Sequence, residues 1–183
     1  MKKAMRFFTV AAIFVVLFGA QSSWAQVTVI LTRHAEKGPD KDPPLTESGH
    51  KRARLLASML ADSGVNAIYV TEYQRTQQTA APLAEELHVK PTIIPTSNQA
   101  ELVKEIRARQ SGVVLVVGHT STLPALITAL GGPTVQIPET QYDNFFVLTL
   151  WPNQSSLFRM HYGSSAPSVK PQSMKDMMPV PVK

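Results

Sequence analysis

Val113-Val114-Leu115-Val116-Val117, followed at once by Gly118-His119-Thr120-Ser121, decides how this chain is read. Five consecutive apolar residues, four of them Val, leave no face for water. That is the pattern of a strand covered on both sides, as in the middle of a parallel sheet. Val27 to Leu31 is a second β-branched run without a polar face, and Ala67 to Val70 is a shorter one. Helical segments are expected between them. Thr46 is placed to cap a helix running to about Asp62, with Ala53, Leu56, Ala57 and Leu60 on one face and Gly64 as its stop. Gln74 to Leu87 reads as a helix broken or kinked at Pro82. Pro91 to Ile94 reads as extended, Glu101 to Arg109 as a helix, and Thr122 to Leu130 as a helix closed by Gly131-Gly132. Phe145 to Trp151 and Leu157 to Tyr162, separated by Pro152-Asn153-Gln154, read as a closing pair of strands. Such alternation predicts an α/β fold, a three-layer α/β/α sandwich around a mostly parallel, doubly wound sheet.

Composition narrows the function classes. An apolar fraction of 44% with a mean hydropathy of −0.03 excludes a disordered chain and a multi-span membrane protein. The absence of cysteine excludes disulfides, thiolate catalysis and cysteine-ligated metals. The pI of about 9.6 suggests a nucleic-acid partner until the charge is located. Of the net charge of +5, Lys2, Lys3 and Arg6 carry three and the last fourteen residues (with Lys170, Lys175, Asp176 and Lys183) carry two. The body is neutral and has no electrostatic footprint for a phosphate backbone.

The two ends differ from the body. A cationic Met1 to Arg6, an uncharged and mostly apolar Phe7 to Ala20, and Ser23-Trp24-Ala25 are the three parts of a secretory signal peptide. The apolar stretch is too short to span a bilayer, so cleavage after Ala25 and a periplasmic or secreted location are expected. No membrane span is expected after cleavage. From Ser164 onward the chain is rich in Pro, Ser, Met and Lys without periodicity, and residues 164–183 read as a disordered tail.

Ligands of open α/β sheets bind beyond the carboxyl ends of the strands. Just past the three strands here lie Arg33-His34, the segment Thr71 to Arg75, and His119-Thr120. Two guanidiniums and two imidazoles on one rim call for an anion, and guanidinium binds phosphate oxygens bidentately without losing its charge. A helix starting near Thr120 would aim further N–H groups at it. Anion binding alone has no use for an imidazole beside an arginine. Phosphoryl transfer does, because a neutral His nitrogen is a competent in-line nucleophile.

Leu31-Thr32-Arg33-His34-Ala35-Glu36-Lys37 resembles the Arg-His motif of the histidine phosphatase superfamily, the phosphoglycerate-mutase-like proteins. Gln74-Arg75-Thr76-Gln77-Gln78-Thr79-Ala80 resembles its second arginine motif and Val117-Gly118-His119 its second histidine motif. Leu45-Thr46-Glu47-Ser48-Gly49 resembles the segment that follows the nucleophile loop. The four occur in the family order over about Val27 to Leu130. The resemblance implies a catalytic domain over residues 26–163, His34 as the phosphorylated nucleophile, and a phosphoryl group held by Arg33, Arg75 and His119, joined here by Thr120. It implies no cofactor and no metal.

The proton donor for the leaving group is open. Some branches of the family place an acidic residue directly after the second histidine, where Thr120 stands. Others use a Glu downstream of the second arginine, which makes Glu101 the tentative acid, with Glu36 and Glu72 also near the rim. His34, Glu36 and His119 form a possible cation site, but Arg33 and Arg75 would repel a metal. His50, His88 and His161 read as structural. The resulting expectation is an exported, metal-independent phosphomonoesterase, monomeric, acting on a small phosphorylated substrate or a phosphorylated cell-envelope component. A phosphate-binding module without turnover, and a phosphoglycerate-type mutase, are the alternatives. A mutase must shield its phosphoenzyme from water, and the loops here are short.

Overall fold

Six strands and four helices alternate along residues 26–163, which the computed structural model describes. The expected signal segment (1–25) and tail (164–183) lie outside the described residues. The strands are β1 (Val27–Arg33), β2 (Val65–Val70), β3 (Thr92–Ile93), β4 (Gly112–Gly118), β5 (Asn144–Trp151) and β6 (Gln154–His161). The helices are α1 (Glu47–Leu60), α2 (Gln74–Glu86), α3 (Gln99–Arg107) and α4 (Leu123–Ala129). All strands join one sheet in the order β3-β2-β4-β1-β5-β6. The β3, β2, β4 and β1 strands run parallel, and β5 and β6 add an antiparallel edge.

The unbroken apolar strands are the innermost ones, because both faces of β1 and β4 are covered. Val29, Leu31, Val114 and Val116 face Leu102, Ile106, Leu126 and Ile127 of α3 and α4. Ile30, Leu115 and Val117 face Leu56, Leu60, Ala80 and Leu83 of α1 and α2. Each fully buried Leu or Ile contributes about 1.5–3 kcal/mol, so this double layer fixes the strand ends that carry the polar residues.

The local signals mostly act as expected. Thr46 caps α1, its hydroxyl accepting from Gly49 N–H at 3.2 Å, and Gly64 ends the following turn at φ +74°. Gly49 has a tighter reason: a Cβ there would lie 2.2 Å from the Glu36 carbonyl oxygen. Pro82 does not break α2, which runs on to Glu86. Thr76, Thr79, Ala80, Leu83 and Ala84 bury one face of that helix, and this packing outweighs the one hydrogen bond that proline removes. The last two strands pair from Asn144 with His161 to Trp151 with Gln154, leaving only Pro152-Asn153 in the turn. Among the described residues no helix is long and apolar enough to cross a membrane.

Candidate active site

The register of the three parallel strands brings their ends level. Arg33 lies opposite Gly118 and Val70 opposite Val117, and His34 N–H donates to the Gly118 carbonyl at 2.9 Å. The next residues of each strand therefore emerge on one rim. There a cavity of about 260 Å³ is lined by Arg33, His34, Arg75, His119, Thr120 and Glu139, among others. A larger cleft of about 550 Å³ opens near the other end of β1, beside Val27, Arg107 and Trp151, but holds none of these groups.

His34 is 3% exposed and its ring centroid lies 5.3 Å from that of His119. Its Nδ1 sits 2.8 Å from the Ala35 carbonyl. A carbonyl can only accept, so Nδ1 carries the proton and Nε2 is left with its lone pair. Burial pushes the His34 pKa down to about 3; the Ala35 bond acts against it, and Arg33, His119 and Arg75 add smaller downward effects. His119 is pushed down to about 4, by burial first and Arg75 next. Both rings are neutral at ordinary pH. His119 Nε2 lies 3.0 Å from the Thr71 hydroxyl, which lies 2.9 Å from that of Thr76, so the second imidazole is held by a buried hydroxyl pair.

The arginines are stacked and left with donors to spare. The guanidinium carbon of Arg33 lies 4.0 Å from the Tyr142 ring centroid, and that of Arg75 lies 4.1 Å from Tyr73. Arg33 Nε and Arg75 Nε and Nη1 are buried without a hydrogen-bond partner. Arg75 Nη1 is 3.6 Å from the Asp42 carboxylate, an ion pair too long for a hydrogen bond. Buried donors left unmade cost about 1–3 kcal/mol each.

The helix behind the rim holds the segment that follows His34. Thr79 donates back to the Arg75 carbonyl at 2.7 Å and accepts from Ala35 N–H at 2.9 Å. The Gln78 side chain accepts from Leu45 N–H at 2.7 Å. Asp42 accepts from Gln74 N–H at 3.1 Å, at the start of α2.

The carboxylates fall differently from the sequence expectation. Glu101 does not line the cavity; it pairs with Lys104 one turn along α3 at 3.6 Å, as its first-turn position allows. Glu36 is taken by Arg52, whose Nε and Nη2 donate to it at 2.8–3.0 Å. Both oxygens of Glu72 accept from Thr96, at 2.8 and 2.9 Å. Burial alone would raise the Glu72 pKa, but these bonds and the nearby His119 hold it below the usual range. The carboxylate at the pocket is Glu139, 2.9 Å from Arg33 Nη2 and accepting from the Thr120 hydroxyl. Thr120 lies in a turn ahead of α4, which starts only at Leu123, so no helix end begins beside it. Lys37, Tyr73, Thr96 and Ser121 also line the cavity. Among the described residues no cluster of three or more His, Asp or Glu is placed to hold a metal ion.

The model of the histidine phosphatase superfamily (branch 1) matches residues 29–98, the stretch holding Arg33, His34 and Arg75. This match supports placing the chain in the histidine phosphatase superfamily. Members of that superfamily are phosphatases or mutases. Two solved structures of this fold cover most of the chain. The protein histidine phosphatase SixA, solved with tungstate, is 21% identical over 73% of this chain and 96% of its own, with a TM-score of 0.61. A phosphoglycerate mutase from Bacillus anthracis is 15% identical over 77% of this chain and 95% of its own, with a TM-score of 0.62. At such identities the likeness is one of fold. A curated relative, the PE-PGRS family protein PE_PGRS11 of Mycobacterium tuberculosis, is 43% identical over 58 residues. That match spans 31% of this chain and 10% of the relative's length.

Proposed function

We propose that this histidine phosphatase superfamily member is an exported, metal-independent phosphomonoesterase that works through a phosphohistidine on His34. The observation that carries this reading is the pairing of a neutral His34, its Nδ1 proton held by the Ala35 carbonyl, with two arginines that keep buried N–H groups unpartnered. A binding module needs the arginines but not a free-base imidazole beside them.

The phosphate ester enters with its oxygens on Arg33 and Arg75, flanked by His119 and Thr120. Nε2 of His34 attacks phosphorus in line, and the leaving oxygen departs with its electron pair and takes a proton. Water then attacks the phosphohistidine, the P–N bond breaks, and inorganic phosphate leaves His34 neutral again. Because burial, with smaller effects from Arg33 and Arg75, holds the pKa of His34 low, the nucleophile is ready without a separate base. The cavity of about 260 Å³, edged by Lys37, Tyr73, Thr96 and Ser121, suits a small phosphorylated substrate or a phosphorylated component of the cell envelope. The N-terminal signal pattern supports a periplasmic or secreted enzyme whose mature form begins at Gln26.

The test is His34→Ala in purified mature protein. Turnover of a phosphomonoester panel should vanish while tungstate or vanadate still binds, and the wild type should yield an acid-labile, base-stable phosphate on His34. Near-native turnover by the variant would sink the mechanism. Anion binding by a wild type that turns over no ester would leave a phosphate-binding module.

A further inference from the structure

We infer that Glu139 is the proton donor to the leaving group, held in the empty pocket as the counter-ion of Arg33 and set free by the arriving phosphate. The inference rests on the phosphatase reading above and supplies the acid that reading lacks.

The placement of every other carboxylate near the rim argues for Glu139. Glu36 is bound by Arg52 and Glu72 by Thr96, while Asp42 meets the start of α2 and faces Arg75. Glu101 pairs with Lys104 away from the cavity. Glu139 alone among these lines the pocket together with both histidines. It sits between β5 and α4 with 77% of its side chain exposed, so it is free to swing.

Its partners are the second argument. The carboxylate accepts from Arg33 Nη2 and from the Thr120 hydroxyl, two of the groups read as phosphoryl ligands. In the empty site it therefore occupies donors that an incoming phosphate needs. A phosphate dianion competes for the Arg33 guanidinium with more charge and more oxygens. Once displaced, Glu139 stands beside that dianion, and like charge favours its neutral, protonated form. The dianion also offsets the charge of Arg33 and Arg75, so protonation follows substrate entry.

The proton accounting is closed. As Nε2 of His34 bonds to phosphorus and the P–O ester bond breaks, the Glu139 carboxyl passes its proton to the leaving oxygen, giving an alcohol and a carboxylate. That carboxylate accepts a proton from the water that attacks the phosphohistidine, and the P–N bond electrons return to Nε2. Glu139 ends protonated beside the product phosphate and regains Arg33 when phosphate leaves.

Leaving-group dependence tests this, because only a poor leaving group needs an acid. Glu139→Gln should lower kcat/KM for an alkyl phosphate by about 100-fold or more, and for p-nitrophenyl phosphate by less than about tenfold. kcat/KM reports steps only as far as the first phosphoryl transfer, so later loss of the base does not blur the comparison. Vanadate inhibition should stay the same or tighten, since a competing anion has been removed. An equal loss for both esters, no loss for either, or weakened vanadate binding would overturn the inference, the last showing that Glu139 merely holds Arg33 in place. If wild-type protein hydrolyses neither ester, the phosphatase reading itself fails and takes this inference with it.

Discussion

Acid should unfold this protein through its pair of buried histidines. His34 and His119 are 3% and 6% exposed and are held neutral, with pKa values of about 3 and about 4. In the unfolded chain each returns to about 6.5. Between those values the unfolded state binds more protons than the folded one, so stability rises with pH and is lost as pH falls below 6.5. From pH 7 to pH 5 the loss is about 2 kcal/mol for each histidine by that linkage relation. For a domain of this size that lowers Tm by about 4–8 °C per histidine. The perturbation is His34→Asn or His119→Asn, similar in shape and unable to titrate, melted in phosphate-free buffer at pH 7 and pH 5. Each variant should shed about half of the wild-type acid sensitivity. With ring centroids 5.3 Å apart the two sites are coupled, so the double variant should not show the plain sum. A His34→Asn protein whose Tm falls with acid as steeply as the wild type's would refute the reasoning.

Arg75→Ala should cut kcat/KM by about 10- to 150-fold, the equivalent of about 1.5–3 kcal/mol for a charged hydrogen-bonding pair. Arg75→Lys should recover only part of it, because an ammonium cannot replace the Nε and Nη donors together, and steady-state kinetics on one aryl phosphate will tell. Gly49→Ala drives a methyl group against the Glu36 carbonyl and should cost about 1–3 kcal/mol in denaturant unfolding. It should also depress activity, since the displaced backbone belongs to the loop after His34. In exported material, mass spectrometry should find Gln26 at the N-terminus; soluble protein that keeps Met1 would contradict the signal reading.

What could be read from the sequence followed from adjacency along the chain. Arg33-His34, Arg75 and His119 each stand within a few residues of an apolar run, so one rule about strand ends gathered them before any geometry was known. Glu139 and Tyr142 had no such marker. They lie in an aperiodic connection between α4 and β5, and only the pairing of β5 beside β1 carries that connection back to Arg33. Glu101 was misleading because a carboxylate in a first helical turn satisfies the helix dipole whatever the distance to the site. Pro82 showed the opposite weakness of local reading, as five buried residues on one face of α2 overrode it.

The position of β1 also bears on how the molecule comes into being. Val27 pairs on one side with Gly112 and on the other with Leu150, so the earliest of the described strands waits for distant, later-made segments to satisfy both its edges. High contact order of this kind makes folding slow, and two open edges on an apolar strand invite wrong pairing in the interval. Under the proposed export that delay would be useful: the chain would stay translocation-competent until the β5–β6 hairpin exists. Catalytic competence should accordingly appear in one late event, with no partly active fragment before it.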